Sequence, residues 1–401
     1  MLCPICRDTA DEVRELEVFF ELESVPVFCN VLHDTQERAR AATRGDIHLG
    51  WCRSCGLIHN TAFDEARVEY VEGYENSLHC SPRFQSFAEM LAGRLIDKYD
   101  LHGIDVVEVG AHRGEFLELV CAGGRNRGIG YDPSTPEELC RRSSGPFELR
   151  SEYFDASRVE GPIGLIASRH VLEHIPVPGP FIQVLLEAAQ RGSSVDRATA
   201  VYLEVPNGLW TLRDLGIWDI IYEHVSYFVP VALRRLFRDR GAEPHVQEVF
   251  GGQFLSAELP AKDDPVRDDE ADAQDLEALA RYVESFSRTY ADRTAYWSAQ
   301  LRDLAARDEG LAIWGAGSKG VTFLNVLARD PELAGAIRGV VDINPLKQGK
   351  YVSGTGHPII SPERLVEIGV ERVIAMNPLY LQEIRSQLAA LGHRGTVEAI
   401  Q

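Results

Sequence analysis

The stretch IDVVEVGAHRGEFLELV, residues 104–120, decides how this chain is read. An apolar run ends in Glu108-Val109-Gly110, a turn passes through Ala111, His112, Arg113 and Gly114, and a helix-like segment follows from Phe116 to Val120. Strand, glycine turn and helix in that order open a parallel α/β unit, since glycine lets the backbone approach a ligand and a helix N-terminus favours negative charge. Downstream, GIGYD (128–132) puts Asp132 at the end of a second strand, where a carboxylate can grip ribose hydroxyls. A glycine turn alone is weak evidence. It is supported by GPIGLIASRHVLEHIP (161–176), an apolar strand leading into His170 and His174, and by VYLEVPN (201–207). Alternating strands and helices predict a doubly wound parallel sheet with ligand at the carboxyl ends of its strands.

The pattern recurs near the other end. In GLAIWGAGSKGVTFLNVL (310–327), Gly315-Ala316-Gly317-Ser318-Lys319-Gly320 is a GxGxxG between a strand and a helix, and GVVDINP (339–345) ends a next strand in Asp342. By itself this is a dinucleotide-binding fingerprint and favours an NAD(P)-dependent oxidoreductase. The chain therefore carries two Rossmann-like halves that need different explanations.

Before the first half stand two CxxC knuckles, Cys3-Pro4-Ile5-Cys6 and Cys52-Arg53-Ser54-Cys55. Each short turn aims two sulfurs at one ion, and together they fill a tetrahedral zinc shell. With all four positions taken by protein, the site is structural, not catalytic. Redox-active dithiols and incidental free thiols are the competing readings; Cys29, Cys80, Cys121 and Cys140 lack such pairing and read as small hydrophobes.

The chain has 401 residues, too many for one ordinary core, and 45% are hydrophobic, enough for several. A net charge of −20 argues against nucleic acid as a partner, which needs a basic face. No apolar run approaches a membrane span and no secretory leader opens the sequence, so the expected location is the cytoplasm. Four blocks emerge: a zinc-binding domain (1–80), an α/β domain (81–260), an acidic linker and bridging helix (261–309), and a C-terminal Rossmann-like domain (310–401). FQSFAEMLAGRLIDKY (84–99) predicts an amphipathic helix with Phe84, Phe87, Met90, Leu91 and Ile96 on its apolar face. AKDDPVRDDEADAQD (261–275) reads as a solvated linker, and residues 276–301 as a helix.

The order of paired knuckles, EVGAHRG, GYD, VLEHIP, IYEHVSYF (221–228), GGQFLSAEL (251–259), IWGAGSKGVTFLN and DINPLKQGKY (342–351) resembles the S-adenosylmethionine (SAM) dependent C-methyltransferases of deoxysugar biosynthesis, over essentially the whole chain. The resemblance implies a class I SAM-methyltransferase core, with Glu108, Gly110 and Gly114 on the methionine and ribose side of the cofactor and Asp132 on the ribose hydroxyls. It places His174 and His224 at the catalytic centre with Glu223 beside the latter. It also implies that the C-terminal domain helps form a nucleotide-sugar site, which accounts for the second GxGxxG without NAD.

Methylating carbon needs a carbon nucleophile, available next to a ketone once a base removes a proton. A histidine suits that task. His224 is the first candidate base, Glu223 a group to orient it or a substrate hydroxyl, and His174 a stabiliser of the enolate oxygen. Candidate substrate contacts are Tyr74, which with Tyr70 forms a lid or a simple interdomain contact; Tyr222, which equally reads as a packing residue; Asp342; and Lys319 and Lys347, which with Lys350 can neutralise a diphosphate. Two departures stand out. Ile221-Tyr222 replaces the family's Tyr-His before Glu-His, and Phe250-Gly251-Gly252-Gln253 replaces His-Gly-Gly-Ser, which keeps open another small natural-product scaffold as acceptor.

Overall fold

The computed structural model describes residues 1–8, 14–68, 74–142, 145–260 and 269–400. Tyr70 and residues 261–268 of the acidic stretch lie outside them. Among the described residues, sixteen strands form three sheets: β1 (Glu17–Pro26), β2 (Arg44–Trp51), β3 (Ile58–Asn60), β4 (Asp105–Val109), β5 (Arg127–Tyr131), β6 (Phe147–Arg150), β7 (Ile163–Arg169), β8 (Ala200–Pro206), β9 (Ser226–Tyr227), β10 (His245–Val249), β11 (Phe254–Leu259), β12 (Leu311–Trp314), β13 (Ile337–Val341), β14 (Ile359–Ile360), β15 (Arg372–Ala375) and β16 (Thr396–Ala399).

The central sheet runs β10-β11-β8-β7-β4-β5-β6. Strands β4 to β8 are mutually parallel, and β11 lies antiparallel between β8 and β10. Every residue of β7 is buried, as expected of a strand covered on both faces. Reversal of strand order at β4 opens a crevice at the carboxyl ends, the usual ligand position in such sheets. The C-terminal sheet, β14-β13-β12-β15-β16, is wholly parallel, so its own crevice lies beyond β12 and β13.

The small N-terminal sheet is antiparallel and ordered β1-β2-β3-β9. Its fourth strand comes from the IYEHVSYF segment, with Tyr227 opposite Ile58 and Ser226 opposite His59. That pairing explains why the segment is apolar: it crosses from the central domain into another sheet, and Ile221, Tyr222, Val225, Tyr227 and Phe228 are all buried there.

Helix Pro82–Tyr99 forms at the predicted place, capped by Ser81, whose hydroxyl accepts the Phe84 N–H. Its buried face is Phe84, Ala88, Leu91, Ala92, Leu95 and Ile96; Met90, expected on that face, is exposed. Two alanines complete a stripe that larger apolar residues alone do not mark. The long helix Asp269–Ala306 begins inside the acidic stretch, so residues 269–275, expected as linker, form its first turns, where acidic side chains complement the helix dipole. Leu279, Val283, Phe286, Tyr290, Trp297, Leu301 and Leu304 bury one side of it. Phe286 packs edge-on to Phe20 and Trp297 to Phe323, tying the helix to the first sheet and to the helix Ser318–Leu327 of the C-terminal domain. No helix among the described residues is long and apolar enough to cross a membrane.

Candidate active site

The crevices of the central and C-terminal sheets face one another across a single cavity of about 940 Å³. On the central side its wall contains Glu108, Gly110, His112, Asp132, Tyr153, Phe154, Arg169, His170, Glu173 and His174; the crossing segment adds Glu223, His224 and Tyr227; the C-terminal side adds Gly315, Lys319, Asp342, Lys347, Asn377 and Tyr380. Tyr74 lines it from the segment between the small sheet and the central domain.

The glycine turn is built by its own backbone needs. Gly110 has φ +81°, and a Cβ there would meet Val171 Cγ2 at 2.1 Å, so no larger residue fits. Glu108 accepts the Leu117 N–H at 3.1 Å, and burial pushes its carboxyl up to about 8. Asp132 accepts N–H groups from His112 (3.1 Å) and Ser134 (2.7 Å), which fixes the carboxylate at the mouth of β5. Gly114 differs from its expected role. It precedes the helix Glu115–Gly124 at φ +75°, with Phe147 and Leu149 against its missing side chain, and does not line the cavity. It shapes the turn and leaves the contact surface to Gly110 and Ala111.

Two polar layers meet in the middle. In the upper one, His174 Nδ1 lies 2.8 Å from the Glu223 carbonyl oxygen, and the His174 and His224 rings stand edge to face with centroids 5.1 Å apart. A carbonyl only accepts, so Nδ1 of His174 carries the proton and Nε2 is left as the free position. Burial, and after it the neighbouring His174, pushes His224 down to about 3, which leaves a neutral imidazole at ordinary pH. Glu223 does not orient that ring, as the sequence suggested. Its carboxylate turns the other way, accepting the Cys29 N–H at 2.8 Å and bonding Tyr74, while burial raises its pKa.

The lower layer was not legible as a site. Arg169 donates to Glu204 at 2.8 Å, and Tyr202 donates its hydroxyl to the same carboxylate at 2.7 Å. His170, at φ +56°, stands 3.1 Å from Glu204 and 3.7 Å from Glu173. Burial opposes its charge, but the two carboxylates overcome that and raise it to about 9, so it is a standing cation. Glu173 sits inside the VLEHIP motif and carries an oxygen with no hydrogen-bond partner.

The C-terminal glycine loop is held by the residues expected to bind substrate. Asp342 accepts the Ala316 and Asn344 N–H groups, both at 2.9 Å, and the buried Lys347 donates to the Ala316 carbonyl at 3.3 Å and to Asn30 at 3.2 Å. Lys319 lies 2.6 Å from Asp219. Nearby, Glu75 accepts from Arg113 (3.0 Å) and Asn344 (3.1 Å), joining the glycine turn of one sheet to the loop after β13 of the other. Tyr222 corrects an expectation: it is fully buried, stacked on Phe63 at 5.3 Å, with its hydroxyl accepting the Asp64 N–H, and it does not reach the cavity. Gly45 lies against its ring, where a side chain would collide. Residues that sequence reasoning missed include Glu173, Glu75, Tyr153 and Phe154; only position after a strand end marks the last two.

Away from the cavity, Cys3, Cys6, Cys52 and Cys55 converge. Cys3 and Cys55 sulfurs are 3.6 Å apart, Cys6 and Cys52 sulfurs 3.8 Å, and all four side chains are buried. A hydrogen bond from Cys3 holds the Cys52 thiol far below its ordinary range.

Five parallel strands, an antiparallel β11 inserted before the edge, and acids at the ends of β4 and β5 define a class I methyltransferase fold. Residues 83–247 match the family described as a methyltransferase domain, and residues 264–400 the C-methyltransferase C-terminal domain. The C-methyltransferase NovU of Streptomyces niveus is 30% identical over 362 residues, covering 85% of this chain and 82% of that protein. The chain belongs to the C-methyltransferase family and is a SAM-dependent enzyme, so the oxidoreductase reading of its second glycine loop falls away. Among solved structures, an O-methyltransferase family protein from Burkholderia thailandensis aligns with TM-score 0.32 at 15% identity, over 44% of this chain and 57% of that one. Magnesium protoporphyrin IX methyltransferase from Synechocystis PCC 6803 aligns with TM-score 0.32 at 16% identity, over 47% and 89%.

Proposed function

We propose that this enzyme methylates a carbon atom of a nucleotide-activated keto-deoxysugar through an enolate, with His224 as the base. The observation that carries the reading is a neutral, half-buried imidazole where the crevices of two Rossmann-like sheets share one cavity. One crevice suits SAM and the other an acceptor too large for a single domain. The cavity's size lies within the range of ligand sites.

The residues present fit SAM. Asp132 retains acceptor positions for ribose hydroxyls, Gly110 and Ala111 keep the turn bare, and Tyr153 and Phe154 offer aromatic surface beyond β6. SAM supplies an electrophilic methyl group. His224 takes the proton from the carbon next to the ketone, and His174 stands beside it to stabilise the enolate oxygen. Tyr74, held by Glu223, borders the sugar. Asp342 and Lys347 shape the glycine loop for the nucleotide, and Lys319 offers charge to a diphosphate once released from Asp219.

The four cysteines fit structural zinc. A tetrahedral ion with sulfur at about 2.3 Å sets its ligands about 3.8 Å apart, close to both observed separations. A second acceptor class is favoured by one observation. Phe250 stacks on Phe254 at 5.3 Å within an aromatic cluster, and Gln253 bonds Asn377, so the positions that depart from the family pattern present packing and an amide pair. Another small natural-product ketone suits that wall. The test is incubation with a nucleoside diphosphate keto-deoxysugar in deuterated water. His224-dependent exchange of the C–H next to the ketone and a methyl on that carbon are expected; a methyl on oxygen or nitrogen would overturn the enolate route.

A further inference from the structure

We infer that Glu173, His174 and His224 form a second metal site, which takes a divalent first-row cation such as Zn²⁺ in competition with proton abstraction. The competition, though not the binding, rests on the base role proposed for His224.

Three independent features converge. The ligand atoms of these residues, one carboxylate oxygen and two ring nitrogens, lie within 4.8 Å of one another. Ligands 2.0–2.2 Å from a metal stand roughly 3–3.6 Å apart, so closure asks for side-chain shifts on the order of 1 Å and no backbone change. The His174 tautomer is already set. Its Nδ1–H is committed to the Glu223 carbonyl, which leaves the Nε2 lone pair outward, the same backbone-carbonyl arrangement that orients metal-bound histidines. Glu173, 2% exposed, carries an unpartnered oxygen on the cavity wall, a costly state for a buried carboxylate unless something else is bound there.

Ligand chemistry narrows the ion. Two imidazoles and one carboxylate suit Zn²⁺, Co²⁺ or Fe²⁺ and disfavour Ca²⁺ and Mg²⁺, which prefer all-oxygen shells. With three protein ligands the remaining coordination positions face the cavity. The neighbouring basic groups have carboxylate partners: His170 lies 3.1 Å from Glu204 and 3.7 Å from Glu173, and Lys319 is paired with Asp219. A cation held on the His224 lone pair removes the acceptor needed for a proton, so occupancy silences the base without blocking Asp132 or the glycine turn.

The experiment uses the full chain with its cysteine site filled, adjusted to one zinc per chain against a weak chelator, then titrated with Zn²⁺ by calorimetry near pH 7.5. One further saturable equivalent is expected, weakened at least tenfold in Glu173→Gln and in His174→Gln and retained in Glu223→Gln, which leaves the carbonyl in place. Circular dichroism selects variants that remain folded, and the two ligand substitutions serve as independent checks. No second equivalent, or one that survives both ligand substitutions, overturns the site. In the presence of acceptor, Zn²⁺ is expected to suppress solvent exchange competitively. Stoichiometric binding at these residues with undiminished exchange upholds the site and removes His224 from the base role instead.

Discussion

The backbone N–H of Cys29 donates to Glu223 Oε2 at 2.8 Å, joining residues 194 positions apart. Through that bond the N-terminal unit grips the crossing segment from behind, and Tyr74 completes the grip from the cavity side. Glu223 therefore belongs to a joint between units, and the adjacent His224 is left facing the cavity by default of chain geometry.

Replacing His224 with Gln keeps size and polarity but removes the ring nitrogen proposed to accept the proton. Methyl transfer and solvent exchange are expected to fall together by about 10²–10⁴-fold. Binding of S-adenosylhomocysteine, measured by calorimetry, should be retained, since its proposed contacts are Asp132 and Gly110 and not His224.

Asp132→Ala removes the carboxylate at the end of β5 and frees the N–H groups of His112 and Ser134. Loss of one or two charge-assisted bonds predicts a Kd for S-adenosylhomocysteine raised about 10- to 100-fold. An unchanged affinity would show that the cofactor ribose lies elsewhere.

Cys52→Ser should release zinc, read as metal per chain by mass spectrometry, and lower Tm. The effect is expected to spread. Because β3 pairs with β9, loosening the small sheet slackens the residues beside His224, so methyl transfer should drop with a structural substitution remote from the cavity.

His170 gives a pH signature. Its folded pKa of about 9 exceeds the ordinary value of 6.5, so its contribution is fully present below about pH 6.5 and is lost as pH rises through 9. A shift of that size corresponds to about 3 kcal/mol. The difference in unfolding free energy between the wild type and His170→Gln should shrink steadily between pH 6.5 and 9.5 in urea titrations. A difference independent of pH would mean that the imidazole is held by packing, not charge.

The two glycine turns and the cysteine knuckles were readable because backbone conformation and ligand spacing constrain neighbouring residues in sequence. Met90 and Tyr222 were not, for opposite reasons. Periodicity puts Met90 near an apolar stripe whose centre is set by Ala88 and Ala92, too small to announce it. Tyr222 stands in the turn before β9 and points away from the cavity, and its partners Phe63 and Gly45 are more than 150 residues away. Glu173 was inside a recognised motif, yet the direction of its carboxylate depends on His170 adopting a left-handed backbone, which nothing in the sequence signals. The reversal of the Glu223 carboxylate depends on Cys29, equally remote.

The recruitment of β9 into the small sheet bears on how the chain matures on the ribosome. Strands β1 to β3 emerge early, but the edge of β3 stays open until residues 226–227 have been made and delivered. An open edge is a template for foreign strands. A metal taken up early by the four cysteines would hold that edge in register while some 170 further residues are synthesised, so that such an ion would time assembly as well as fasten the fold.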